Sequence, residues 1–462
     1  MKRIFLILFA LVFLFLPVLT ACGNTPEEPA PPAEEPTDTE QTEKTDKEEE
    51  EEIVTEPLDP FVPDTVCFEA SDLGSNARRP FFPGVTQAKD GTILVVYYYA
   101  DGHALYHQSE GKLSGVLQLV RSTDHGKTWS EPETVVDVTG EDKTLGLFNR
   151  ESRDPNLQRL SDGTIVLTYS VRAPIGKPGY NDDSRAYDDY WYERAYYMTS
   201  VDNGKTFSTA QMIPCDYFST EPYLYDDPTR TTGAWVKNGS MAELEGGDVL
   251  ISLYGSKDCS SRGILETVII KAHNNGNGKL TFDKTWAPDG GDAVQLAGPG
   301  GGNEVSLVAY GDTVYALSRT ASNDSASNAP VYISKDAGKT WERFATEVTP
   351  NECLNQPYFT LVSDKLALVN YAVPLASAAS SPAKRTARPV YGKLFDLEKG
   401  NWDEYTAVPV YDVQSATVAD MGNPASVLLD DGRIFTVFYD TSSPATKHGF
   451  IGGQFTTLSD YE

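Results

Sequence analysis

The chain has 462 residues, with 38 Lys and Arg against 67 Asp and Glu, a formal net charge of −29. That charge argues against nucleic acid or an anionic lipid surface as a partner, since both repel net negative charge. The 40% hydrophobic content excludes a multi-span membrane protein and disorder throughout, and 25 Tyr and 19 Phe beside 5 Met lean towards strands.

Lys2 and Arg3 precede an apolar run, Ile4 to Leu19, which is the layout of an export signal. The run closes on Leu19-Thr20-Ala21-Cys22, which resembles the bacterial lipobox; the resemblance implies cleavage before Cys22 and acylation of its thiol. The other reading, an uncleaved helical anchor, would need a slightly longer run. On either reading the rest of the chain lies outside the cytoplasm, and residues 1–22 are taken as a signal peptide.

Residues 23–59 hold 15 acidic residues and 2 lysines among Pro and Thr, with Glu48 to Glu52 as the acid core. Such a segment has little to bury and extends by self-repulsion, so it reads as a tether, or alternatively as an acidic partner-binding tail. Four cysteines remain beyond Cys22, namely Cys67, Cys215, Cys259 and Cys353. They are widely spaced without a C-x-x-C pair, which argues against a zinc or redox motif; disulfides in any of three pairings and buried free thiols both remain open.

From residue 60 to 462 the chain repeats. The unit is an apolar stretch, usually with Pro, then Asp seven residues after the Pro, commonly Gly, and a β-rich run. It reads Phe82-Pro83 to Asp90-Gly91, Asp154-Pro155 to Asp162-Gly163, Gln356-Pro357 to Asp364, and Asn423-Pro424 to Asp431-Gly432. Looser copies run from Ser240-Met241 to Asp248 and from Glu304-Val305 to Asp312. Each unit is expected to form strand, tight turn, strand.

A second signature recurs as Ser122-x-Asp124-x-Gly126-x-Thr128-Trp129, Ser200-x-Asp202-x-Gly204-x-Thr206-Phe207 and Ser334-x-Asp336-x-Gly338-x-Thr340-Trp341, with Asp396 to Trp402 as a degraded fourth. It is expected to be a hairpin turn: Asp accepts backbone N–H groups, Gly supplies positive φ, and the aromatic packs back on its own sheet. The alternating carboxylates of a calcium loop are missing. Six such units without helical periodicity predict an all-β fold, a six-bladed β-propeller, closed by pairing of Thr65 to Ala70 with the strands around Phe450 to Phe455.

These three S-x-D-x-G-x-T-[W/F] elements in a six-unit array resemble the Asp-box (BNR) repeats of the sialidase (neuraminidase) superfamily, over nearly all of residues 60–462. The resemblance implies a propeller of sialidase type. It also implies an arginine triad for a substrate carboxylate, a Tyr nucleophile paired with a Glu, and an Asp acid/base. Glu304 and Arg319 resemble the family's Glu and second triad Arg, and Arg388, or Arg385 beside it, falls near the third. Asp101 in the first unit's long loop is the candidate acid/base. The chain departs from the pattern at Phe81, where the first Arg is expected with Arg79 two residues upstream, and at Asn423, where the Tyr is expected.

Read without the family, the innermost strands of a propeller converge on an axial pocket, bringing together Phe82, Asp154, Ser240, Glu304, Gln356 and Asn423. Arg153, Asn238, Asn303 and Asn355 would add donors beside them. Such a rim suits a hydroxyl-rich ligand, and Asp154 with Glu304 is the first choice of carboxylate pair for glycoside hydrolysis. Asp154 has a structural alternative, pairing with Arg153 or Arg319. The 20-residue insertion Pro174 to Glu193, with Tyr180, Tyr187, Tyr190, Trp191 and Tyr192, reads as a lid or sugar-stacking platform, or as packing onto a neighbouring blade. His103 and His107 near Glu110 only hint at a metal, and no metal or cofactor is expected.

The expected function is a surface-anchored, exo-acting glycoside hydrolase of the sialidase superfamily acting on extracellular glycans, not necessarily sialylated ones. It would be a monomer, touching the membrane only through lipid on Cys22. A glycan-binding propeller without catalysis and a protein-interaction scaffold are the alternatives.

Overall fold

In the computed structural model the structure is described for residues 58–71, 78–100, 115–140, 150–174, 191–218, 232–236, 239–255, 266–297, 303–319, 331–344, 354–373, 388–412, 420–441 and 449–462. Residues 55–462 form one compact unit built almost wholly of strands. The signal and nearly all of the tether, together with Asp101, His103, His107, Asn238, Cys259, Cys353 and Arg385, lie outside the described residues.

Six blades follow one another along the chain, as expected, in five hydrogen-bonded sheets among the described residues. Blade 1 is Arg79–Gln87, Ile93–Ala100, Val116–Ser122 and Glu133–Val136; blade 2 is Glu151–Arg159, Ile165–Pro174, Trp191–Ser200 and Gln211–Met212. Blade 3 centres on Asp248–Gly255 and Glu266–Asn274. Blade 4 is Asn303–Tyr310, Thr313–Arg319, Val331–Ser334 and Glu342–Phe344; blade 5 is Asn355–Leu361, Leu366–Ala372, Val390–Asp396 and Val408–Tyr411. Blade 6 takes Met421–Leu428, Ile434–Asp440 and Phe450–Thr456 from the C-terminus and its outer strand, Thr65–Glu69, from the start of the propeller. That last pairing is antiparallel, from Thr65 opposite Gly453 to Glu69 opposite Phe450, and it closes the ring where the sequence suggested. Second strands such as Ile93-Leu-Val-Val-Tyr-Tyr98 are buried on both faces, because each blade is sandwiched between two others and alternation has no use there.

Blade 3 departs from the pattern. Its inner edge is split into Thr232–Trp235 and Ala242–Glu243, and the first piece also pairs in parallel with Trp191–Ser200, joining blades 2 and 3 into one ten-stranded sheet. Ser240, expected at the axial rim, instead ties to blade 4: its N–H donates to Ser306 Oγ at 3.1 Å and its Oγ to the Leu307 carbonyl at 2.6 Å. It is not among the left-handed residues and lies just before the short strand Ala242–Glu243.

The three S-x-D-x-G-x-T turns share one bonding scheme. Ser122 Oγ donates to Asp124 Oδ1 and accepts the Gly126 N–H, both at 2.8 Å, while Asp124 accepts the Thr128 N–H at 2.9 Å and its hydroxyl at 2.6 Å. The turns at Asp202 and Asp336 repeat this. The Thr128 hydroxyl and N–H pull the Asp124 carboxyl down to about 2; Asp202 also reaches about 2, against its own burial, through Thr206. Stability from these groups is therefore present above the ordinary carboxyl value of 3.8 and lost as pH falls through about 2. The double variant Asp124→Asn/Asp202→Asn should flatten the acid limb of a melting-temperature profile; an unaltered limb would count against this assignment.

The aromatic of the first turn does not pack back on its own sheet. Trp129 stacks on Phe435 of blade 6 at 5.9 Å and donates its indole N–H to Thr65 Oγ1 at 2.9 Å, so the turn pins the closing seam. The turn glycines press on the preceding blade in the same way. Gly204 has φ +75, and a Cβ there would lie 2.7 Å from Leu94 of blade 1. Gly126 meets Phe455 and Gly338 meets Leu250 likewise. Gly204→Val is expected to cost about 2–4 kcal/mol in denaturant unfolding, combining overpacking with a left-handed backbone. At Asp396 the degraded copy still turns, its Oδ1 accepting the N–H of Glu398 and Lys399, each at 2.9 Å.

Cys67 and Cys215 are buried free thiols, and burial pushes Cys215 up to about 12.

Candidate functional site

Each inner strand except that of blade 3 carries a bulge at one register position. Pairing slips between Phe81 and Gly84, Arg153 and Asn156, Asn303 and Ser306, Asn355 and Tyr358, and Gly422 and Ala425. Within each bulge one residue is left-handed: Phe82 (φ 49), Asp154 (52), Glu304 (51), Gln356 (55) and Asn423 (51). Five of the six residues expected at the rim therefore share one strained backbone state, which costs roughly 1–3 kcal/mol at each non-glycine position. Strain repeated at the convergence of the inner strands marks the place where the fold spends stability on side-chain placement.

Glu304 is buried, and Arg319 donates Nη1 to both of its carboxylate oxygens at 3.0 and 2.9 Å. The strand register sets this pair, since Asn303 lies opposite Arg319. Asp154 is only 1% exposed and accepts from Arg153 Nε at 2.9 Å, so the structural alternative for this carboxylate is realised. Arg153 Nη1 also lies 3.6 Å from Glu151, and its guanidinium sits over the rings of Phe82 and Tyr98 at 5.6 and 5.8 Å. Burial raises the Glu151 carboxyl above its ordinary value, although Arg153 and Arg172 oppose the shift and Tyr98 donates its hydroxyl to it at 2.7 Å. Arg172 in turn lies 3.5 Å from Glu193.

On the other side of the axis, Arg388 donates Nη2 to Asp420 Oδ1 at 2.8 Å, and the Tyr439 hydroxyl donates to the same oxygen at 2.8 Å. Tyr254 of blade 3 is buried against Trp235. Its hydroxyl is raised first by that burial and then by Glu304, Asp154 and Glu193, which places it between blades 2 and 4. Arg388 also feels Glu304. Residues of all six blades thus form one connected cluster. Within it the side chains of Arg319 and Asp420 are 22% and 23% exposed, against 6% and 1% for Arg153 and Asp154.

The structure therefore brings together Glu304, Arg319, Asp154, Arg153 and Arg388. Gln356 and Asn423 are buried in the same ring of bulges, and Gln356 Oε1 and Asn355 Oδ1 have no hydrogen-bond partner among the described residues. Arg79 lies at the end of its strand, donating to the Thr441 carbonyl at 3.2 Å. Phe81 occupies the position where the resemblance calls for an arginine. Its ring packs with Phe82, Tyr98 and Tyr439 at 5.6–6.0 Å, in an apolar cluster where an unpaired guanidinium would be costly. The side chains of Asn303 and Trp191 and the loop 175–190 fall outside the described residues; Trp191 is placed only by its backbone, paired with Pro174.

Sequence reasoning missed Tyr98, Glu151, Tyr254, Asp420 and Tyr439. A usable signal existed for two of them. Tyr98 and Tyr439 each stand eight residues beyond a turn aspartate, Asp90 and Asp431, and that position pairs with the residue before the bulge.

Comparison with known proteins agrees with this architecture. Residues 120–131 and 332–343 match the BNR/Asp-box repeat. A sialidase of Paraclostridium sordellii is 24% identical over 288 residues, 60% of this chain, and the match spans 61% of that relative's length. A protein of unknown function from Dyadobacter fermentans superposes with a TM-score of 0.59 at 19% identity, covering 86% of this chain and 98% of that one. The NanB sialidase of Streptococcus pneumoniae superposes with a TM-score of 0.55 at 15% identity, covering 87% and 71%. The intramolecular trans-sialidase of Ruminococcus gnavus does so with 0.55 at 15%, covering 86% and 98%. The chain is a sialidase-like six-bladed β-propeller with BNR/Asp-box repeats, and at these identities the likeness to solved structures is one of fold.

Proposed function

We propose that the axial cluster is the sugar site of an exo-acting glycoside hydrolase working on extracellular glycans. The observation that carries this reading is Glu304: a carboxylate in a strained bulge, with a guanidinium on both of its oxygens. Ion pairing favours the ionised form, which suits the base or nucleophile of a glycosidase and not the proton donor. The donor role goes to Asp101 on the resemblance. Asp154, buried beside Arg153, serves to position that arginine. In this reading Cys22 carries lipid and residues 23–59 hold the propeller away from the membrane, so that hydrolysis takes place at the cell surface.

The test is sugar release by the full chain, solubilised in a polyoxyethylene detergent, from sialylated glycans and from plant and microbial polysaccharides. Release that disappears in Glu304→Gln supports the hydrolase. A second reading, a glycan-binding propeller without turnover, draws on Phe81 and Asn423 at the positions of expected reacting groups. It predicts binding without release, and in that case Glu304→Gln alters affinity alone.

A further inference from the structure

We infer that the sugar unit taken by the axial site is uncharged and bears no carboxylate. This inference rests on the proposal that the cluster is a sugar site.

Its basis is the charge balance of the cluster. Four guanidinium groups, Arg153, Arg172, Arg319 and Arg388, each lie within 3.6 Å of a protein carboxylate. Five carboxylates face them: Glu151, Asp154, Glu193, Glu304 and Asp420. Among the described residues Arg319 and Arg388 pair with Glu304 and Asp420, and Arg153 and Arg172 with Glu151, Asp154 and Glu193, while the buried Arg194 donates to the Glu193 carbonyl. A ligand carboxylate would have to compete with Glu304 for Arg319 or with Asp420 for Arg388. In a poorly solvated pocket, displacing either pair leaves a buried charge uncompensated. Residues 60–462 add the repulsion of their own net −18, from 34 Lys and Arg against 52 Asp and Glu.

The neutral groups point the same way. Phe81, where the resemblance implies an arginine, presents an aromatic ring packed against three others. Gln356 Oε1 and Asn355 Oδ1 are buried acceptors without a partner among the described residues. Such acceptors suit O–H donors, and the NH2 group of each amide can donate to a hydroxyl as well. Glu304 and Asp420 are also acceptors for hydroxyl groups, and their bonds to neutral donors need not break an ion pair.

The experiment compares matched sugars that differ only at C6, as CH2OH or carboxylate: methyl galactoside with methyl galacturonoside, and methyl glucoside with methyl glucuronoside, with a methyl sialoside alongside. Binding to the full chain in polyoxyethylene detergent is read by titration calorimetry at neutral pH. The neutral member of at least one pair is expected to bind at least tenfold more tightly than its uronate, a difference of about 1.4 kcal/mol. Asp420→Asn removes one carboxylate from the cluster and should narrow that gap severalfold; an unchanged gap would overturn its electrostatic origin. Tighter binding of a uronate or of the sialoside overturns the inference while leaving the sugar-site reading in place. No binding by any member overturns both.

Discussion

Glu304→Gln is expected to lower turnover at least about a hundredfold, the usual minimum for loss of a carboxylate that takes part in acid/base or nucleophilic chemistry. Glutamine keeps the shape of the side chain and one oxygen that can accept from Arg319, so the 3.0 and 2.9 Å contacts lose charge assistance without losing their whole geometry. The effect should fall on kcat more than on KM, because the missing interaction is one made in the transition state. Rates unchanged in the variant would remove Glu304 from the chemistry. A shift in KM alone would move the protein to the glycan-binding reading.

Arg153→Met should destabilise the propeller by about 3–5 kcal/mol at neutral pH, as expected for removal of one partner from a buried ion pair. Methionine replaces the packing over Phe82 and Tyr98, but Asp154 and Glu151, each 1% exposed, lose the guanidinium 2.9 and 3.6 Å away. The pH dependence has a definite sign. The folded-state value of Glu151 is already raised, first by burial, and Arg153 restrains the rise. A carboxyl raised in the folded state contributes stability that is present below its unfolded value and lost as pH rises through its folded value. Removing Arg153 enlarges the rise, so the gap between variant and wild type should narrow in mildly acidic buffer and widen towards neutrality. Denaturant unfolding at both conditions measures this. A pH-independent gap would assign the loss to packing over the two rings.

What the chain settles by itself is whatever depends on neighbours in sequence. The Asp-Gly turns, the Ser-Asp-Gly-Thr bonding scheme and the apolar second strands each involve residues within a few positions of one another. Six strand–turn–strand units, three of them with the Ser-Asp-Gly-Thr turn, leave a ring of blades as the arrangement that buries every sheet. The closing strand was legible for a related reason: an unmatched β-rich segment before the first unit and a last blade short of one strand complete each other. The rim positions were legible too, because the same offset to a turn Asp recurs in all six units, and the structure places a bulge at five of them, Ser240 excepted.

Only the tertiary structure decided the partners. Whether Asp154 binds its neighbour Arg153, and whether Arg319 turns onto Glu304 across its own hairpin, depends on where the side chains end up in the packed ring. Partners from other blades meet at Asp420, which Arg388 of blade 5 reaches, and at Ser240, which bonds to Ser306 and Leu307 of blade 4. Ion pairing falls steeply with distance, so a shift of a few ångströms between two blades changes which charges are neutralised. No local spacing encodes that distance, which is why charge balance at the axis, and with it the kind of sugar the site takes, had to be read from the folded chain.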